Sequence, residues 1–286
     1  MAGLFRSLLF VPGNNPRFLE KAKTIQADII CFDLEDSVPD TEKENARQLI
    51  KKALQSHSEY ASSVYVRTNA PSSGKIPDDL EQIVQKGLDG IVIPKVDSAK
   101  DVLKIKKMLA NLEKKRKIDQ LAIIPSIESS LGVVNTFEIA SSSKRVAAVV
   151  FGVFDLLNDM GIEYKKQAEG AKYARAKIPL DARAAGVYAI DAIWQDLQDK
   201  DGLLQDCITG KSLGYVGKSI IHPDQIPVAH GAFAPNKAEL EWANKVCQAY
   251  VESTKKGRGA TVVDGKMIDE VHFKQARALL DIAKIN

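Results

Sequence analysis

Carboxylates and one arginine recur in this sequence at one kind of place, directly after a short apolar run. Asp33, Glu35 and Asp36 follow DIICF (28–32), Arg67 follows SSVYV (62–66), Glu128 follows LAIIPSI (121–127) and Asp155 follows VAAVVFGVF (146–154). Glu128 and Asp155 suit Mg²⁺, a hard cation that takes oxygen ligands, keeps waters and leaves positions for substrate oxygens. Each carboxylate alone reads equally well as an ion-pair partner or a helix N-cap; arrival from consecutive strand ends favours the metal. Arg67 sits in VYVRTN among apolar residues, where a guanidinium is costly unless it faces anions. Its expected partner is an oxyanion developing on substrate or a carboxylate, Asp33 or Glu35, and both roles can hold together. In DLEDS, alternation points Asp33 and Glu35 the same way, with Asp36 in the loop. These acids cannot all be metal ligands. Asp33 and Glu35 are therefore candidate catalytic groups, at least one of them orienting Lys95 or waters.

Apolar runs of this length read as buried parallel strands, and polar groups gathered where such strands end are how a (β/α)8 barrel builds an active site. The expected strands are 7–11, 28–33, 63–67, 90–96, 121–127, 146–152, 186–191 and 217–222, with helical periodicity at 15–26, 41–55, 77–86, 98–115 and 132–141. This α/β alternation predicts a TIM barrel over 1–234. A doubly wound sheet is the alternative, but no GxGxxG follows the first strand. From about Pro235 the character changes to a helix at 236–254, a basic Gly-rich joint KKGRGA, a strand-like TVV, a DGK turn and a last helix near 269–284. Residues 235–286 are thus expected to form a helical lid or an arm exchanged between subunits.

Composition narrows the function. A hydrophobic fraction of 45% and a charged fraction of 27% fit a globular chain able to bury a large core, and argue against disorder. With 40 basic and 37 acidic residues interspersed, a nucleic-acid partner is not expected. The lysine-rich stretch 104–117 reads as the solvated face of a helix, with Leu103, Met108 and Leu112 as its apolar stripe. Cys31, Cys207 and Cys247 lie far apart without CxxC spacing, and the four histidines lack ligand spacing, so neither a disulfide framework nor a zinc or histidine-bound metal is indicated. His222, in IHPDQ, reads as a strand-end turn element. No long apolar helix is evident, so a membrane partner is not expected, and an unprocessed cytoplasmic protein is the simplest reading.

LLFVPGNNPRFLEKA (8–22), DIICFDLEDSV (28–38), VYVRTN (64–69), DGIVIPKV (89–96), IIPSIES (123–129), GVFDL (152–156), GYVGKSIIHPDQI (214–226) and VVDGKMID (262–269) together resemble the citrate lyase β-subunit/malyl-CoA lyase family. The resemblance implies a TIM barrel that makes or breaks a carbon–carbon bond between an acyl thioester and an α-keto acid, using Mg²⁺. Glu128 and Asp155 match its metal ligands, and Arg67 its substrate-binding arginine. Phe154 stands where the family's G(T/A)EDL block has glutamate. DGKM, with Asp264, is similar to the segment that CoA-thioester lyases of this group place in a neighbouring subunit's site, whereas citrate lyase β subunits commonly carry NGKM. A homo-oligomer, trimer or hexamer, follows from that likeness. The expected activity is reversible cleavage of malyl-, β-methylmalyl- or citramalyl-CoA to acetyl- or propionyl-CoA plus glyoxylate or pyruvate. A citryl-carrier-protein lyase and a malyl-CoA thioesterase are the alternatives. Arg67 and Lys95 are expected to meet substrate, and Arg6, Asn14 and Lys23 are candidate CoA contacts, Lys23 fitting a surface role better.

Overall fold

The protein is described by a computed structural model that covers residues 5–166 and 168–284. Strands β1 (Ser7–Pro12), β2 (Ile29–Asp33), β3 (Ser63–Arg67), β4 (Gly90–Ile93), β5 (Ala122–Ile127), β6 (Ala148–Phe151), β7 (Tyr188–Asp191) and β8 (Gly217–Ile220) pair in sequence order. All neighbours are parallel, and β8 returns to β1 through Leu8↔Ser219, closing the barrel. Closure excludes the doubly wound alternative. Helices α1 (Pro16–Ala22), α2 (Lys43–Leu54), α3 (Ile76–Ile83), α4 (Ala99–Arg116), α5 (Ser130–Val134), α6 (Thr136–Ser141), α7 (Val153–Asp159), α8 (Lys172–Ala184), α9 (Lys200–Leu213) and α10 (Ile226–Phe233) follow the strands.

Burial on both faces is why most strands read as apolar runs; β8 (GKSI) is the exception, its buried Lys218 being paired with Asp191 and Asp206. β2, β4, β6 and β8 are buried at every position. Inside the barrel Leu8, Ile29, Cys31, Tyr65, Val92, Ile124, Val150 and Ile190 form one cluster, with Cys31 as a small core residue. Two local expectations need correction. The apolar stripe of α4 is Val102, Ile105 and Leu109, whereas Leu103 is exposed, so the helix is rotated from the expected face while its lysines stay solvated. The expected helix 132–141 is two helices joined at Asn135, whose amide side chain donates to the Asp97 carbonyl at 2.8 Å.

The chain divides after His230 into two compact units. The second contains α11 (Lys237–Lys255), a hairpin of β9 (Ala260–Val263) and β10 (Lys266–Asp269), and α12 (Glu270–Ala283). Asn236 and Glu239 open α11 with a reciprocal capping box. The hairpin turn is Asp264-Gly265, at φ +48° and +77°, the left-handed pair that a two-residue type I′ turn requires. Ala243, Val246, Val263, Ile268 and Ala276 form this unit's own core. Among the described residues, no helix is long and apolar enough to cross a membrane.

Candidate active site

β2 and β3 end together, because Asp33 and Arg67 are register partners. The Arg67 guanidinium lies over the Phe10 ring, 4.6 Å from its centroid, and forks onto Asp33: Nε donates to Oδ1 and Nη2 to Oδ2, each at 2.7 Å. Asp33 also accepts from the Glu35 amide (2.9 Å), the Ser37 amide (3.0 Å) and the Ser37 hydroxyl (2.5 Å). Burial alone would raise its pKa, but the Arg67 charge and these hydrogen bonds outweigh it and hold the carboxyl below the usual range. Both Asp33 oxygens are committed, which gives this candidate catalytic acid the geometry of a positioning residue.

Glu35 lies one step further out. Its Oε2 is 3.1 Å from Arg67 Nη1, at an angle that makes an ion pair without a hydrogen bond, and its Oε1 accepts from Lys95 Nζ at 2.7 Å. Burial raises its pKa against the pull of Arg67 and Lys95. Lys95 follows β4 with φ +51°, an uncommon conformation for a side chain of its size. Its ammonium also reaches Asp36 at 3.2 Å and Asp155 at 3.4 Å, so it ties the β2 acids to the β6 end.

Glu128, next after β5, is buried, and its Oε2 has no hydrogen-bond partner. Burial, then the negative charge of Glu35, pushes its pKa up to about 7, while Ser126 and Arg67 pull the other way. Its side chain crosses Gly152, where a Cβ would stand 2.4 Å from Glu128 Cγ. Gly152 then leads into α7, whose first turn carries the half-exposed Asp155. An unpartnered buried carboxylate oxygen beside a solvent-reaching carboxylate is an all-oxygen donor pair that fits Mg²⁺ completed by waters and substrate oxygens. Among the described residues, no three His, Cys, Asp or Glu side chains are grouped to hold a metal ion, so waters and substrate would have to supply every ligand beyond this pair.

A cavity of about 480 Å³ opens here, with Asp33, Arg67, Ser126, Glu128 and Asp155 in its lining. A larger cavity of about 740 Å³ adjoins it on the β6–β7 side and shares Phe151, Val153 and Ile193. The charges lining that second cavity are paired, Lys166 with Asp199, Lys172 with Glu169 and Arg175 with Asp206, whereas the first holds the buried, unpartnered carboxylate oxygen of Glu128.

Arg6 does not join the site. It precedes β1, at the barrel end opposite the mouth, and its guanidinium bonds Asp28 through Nε (3.0 Å) and Nη2 (2.8 Å). The direction of the strand alone could have placed it there. Asn14 is at the mouth end, before Asn15, which caps α1. Lys23 pairs with Glu20 and Glu59 on the surface. His222 accepts from the Asp224 amide at 3.2 Å in the turn after β8. Asp264, in the second unit, is exposed and pairs with Lys245 at 2.8 Å. Sequence reading missed Gly152, Phe10 and Ser37, whose contributions depend on three-dimensional approach.

The sequence profile of the HpcH/HpaI aldolase/citrate lyase family matches residues 6–223. The citrate lyase subunit β of Escherichia coli (strain K12) is 36% identical over 284 residues, covering 98% of this chain and 94% of that protein. A (3S)-malyl-CoA thioesterase of Cereibacter sphaeroides (strain ATCC 17025 / ATH 2.4.3) is 35% identical over 277 residues, covering 96% and 93%. The crystal structure of protein CitE from Mycobacterium tuberculosis with magnesium, acetoacetate and coenzyme A is similar at a TM-score of 0.82 and 27% identity, covering 99% of this chain and 100% of that chain.

Proposed function

Because the chain belongs to the HpcH/HpaI aldolase/citrate lyase family and is a lyase, we propose that it cleaves the carbon–carbon bond of a 3-hydroxyacyl-CoA reversibly, with Mg²⁺ held by Glu128 and Asp155. The observation that carries this reading is the meeting, in one cavity, of the unpartnered Glu128 oxygen, the half-exposed Asp155 and the Arg67 guanidinium. Magnesium bound there would polarise the carboxylate and hydroxyl oxygens of the substrate and offset their charge. Arg67, kept protonated and aimed by Asp33, stabilises the negative oxygen that develops as the bond breaks. Release of the hydroxyl proton to solvent lets the carbon–carbon bond break, which frees an α-keto acid and leaves a thioester enolate, and Asp264 from a neighbouring subunit passes a proton taken up from solvent to the enolate carbon. In condensation Asp264 is the base. Lys95 and Glu35 hold the carboxylates in register.

Two other outcomes have support among the relatives: thioester hydrolysis, as the name of the Cereibacter protein states, and cleavage of a carrier-bound citryl thioester in a citrate lyase assembly. A Mg²⁺-dependent assay on malyl-, β-methylmalyl- and citramalyl-CoA, following keto acid and free CoA separately, distinguishes them. Keto acid without free CoA is expected, with Arg67→Ala slower by on the order of 10²–10³. Free CoA alone makes the protein a thioesterase, and neither product moves the assignment to the carrier-bound substrate.

A further inference from the structure

The barrel mouth is chemically two-sided. Its charged groups come from the ends of β2, β3 and β5 and from the first turn of α7, with Phe10 beneath Arg67, while Val150, Phe151, Phe154, Ile193 and Ile221 make the rest of the lining largely apolar. Phe154 directly precedes Asp155. Its ring centroid lies 4.4 Å from that of Tyr164, at an interplanar angle of 36°, so an aromatic contact fixes it beside the carboxylates. Tyr164 in turn lines the 740 Å³ cavity, with Ala192, Trp194 and Leu213 among others. The charges in its lining are salt-bridged, Lys166 to Asp199, Lys172 to Glu169 and Arg175 to Asp206.

A small polar substrate would leave this wall facing water. A methyl or ethyl group placed against it would be dehydrated by apolar surface on several sides, and one methylene in such a pocket discriminates by about 10- to 200-fold. We propose that Phe154 is a specificity-determining residue, and that the apolar side of the mouth receives an alkyl substituent on one of the two carbons separated by cleavage. Branched 3-hydroxyacyl thioesters are then preferred to unbranched ones. This inference rests on the lyase reading above.

The test uses the full-length protein with Mg²⁺ and compares kcat/KM for citramalyl-CoA, β-methylmalyl-CoA and malyl-CoA, alongside calorimetric binding of citramalate and malate. A branched thioester is expected to lead the unbranched one by about 10- to 200-fold, and citramalate to bind more tightly than malate. Phe154→Leu should keep the preference and Phe154→Glu should bring it close to unity. Phe154→Ala should move the optimum to an ethyl substituent. A wild-type enzyme that favours malyl-CoA over both branched thioesters overturns the inference, as does an unchanged ratio in a folded Phe154→Glu variant. If no thioester yields keto acid, the lyase reading fails, and equal binding of the two free acids then overturns the alkyl wall as well.

Discussion

Glu128 is a buried acid whose surroundings oppose its charge. Its pKa is lifted from 4.5 to about 7 by burial and Glu35. In metal-free protein, folding therefore favours the protonated form. That contribution is fully present below the ordinary value of 4.5 and is lost as pH rises through about 7. Complete loss amounts to about 3 kcal/mol. Glu128→Gln removes the titration, so under chelation its stability relative to wild type should rise between about pH 5 and pH 8, as followed by urea unfolding; parallel curves would refute the assignment. With metal present the same variant should lose Mg²⁺ affinity by calorimetry. The meeting of Asp33, Arg67, Glu128 and Asp155 in one cavity was legible because each follows an apolar run. The pairing of Arg67 with Asp33 or Glu35 was one of the readings, but that Asp33 commits both its oxygens was not legible, since only the register that sets it beside Arg67 shows it.

At the level of elements, the junction of β6 and α7 is what brings the two proposed Mg²⁺ ligands together. The Gly152 amide donates to the Ile127 carbonyl at 2.9 Å, which seats the end of β6 against β5, and its missing side chain leaves the path for Glu128. Gly152→Ala should displace that carboxylate and weaken Mg²⁺ binding by roughly 10- to 100-fold, at a stability cost of about 1–3 kcal/mol. Unchanged Mg²⁺ affinity by calorimetry would remove Glu128 from the ligand set. All eight strands were legible, most of them because burial on both faces writes itself as an apolar run, which β8 (GKSI) with its buried Lys218 does not show. The helices α8 and α9 were not. α8 carries Pro179 in its interior, a residue that ordinarily signals a helix end, and α9 buries only Leu203, Cys207 and Gly210, too thin a stripe to read.

At the scale of the whole molecule, the proposed reaction divides its groups between two units, with Arg67, Glu128 and Asp155 in one and Asp264 in the other. If Asp264 acts in a neighbour's site, mixing inactive Asp264→Asn and Arg67→Ala proteins should restore activity in some sites, measured after subunit exchange. No recovery in verified mixed oligomers would mean that each hairpin serves its own barrel. Asparagine suits the test because it tolerates the left-handed turn conformation while losing the charge. Barrel closure also has a consequence for biosynthesis. β1 has β8 as one of its two partners, and β8 ends at Ile220. During translation at roughly 5–20 residues per second, one edge of the first strand therefore waits some tens of seconds for its mate. For that interval the nascent chain presents an open, apolar, hydrogen-bonding edge, the kind of surface that chaperones shield and that other growing chains can capture.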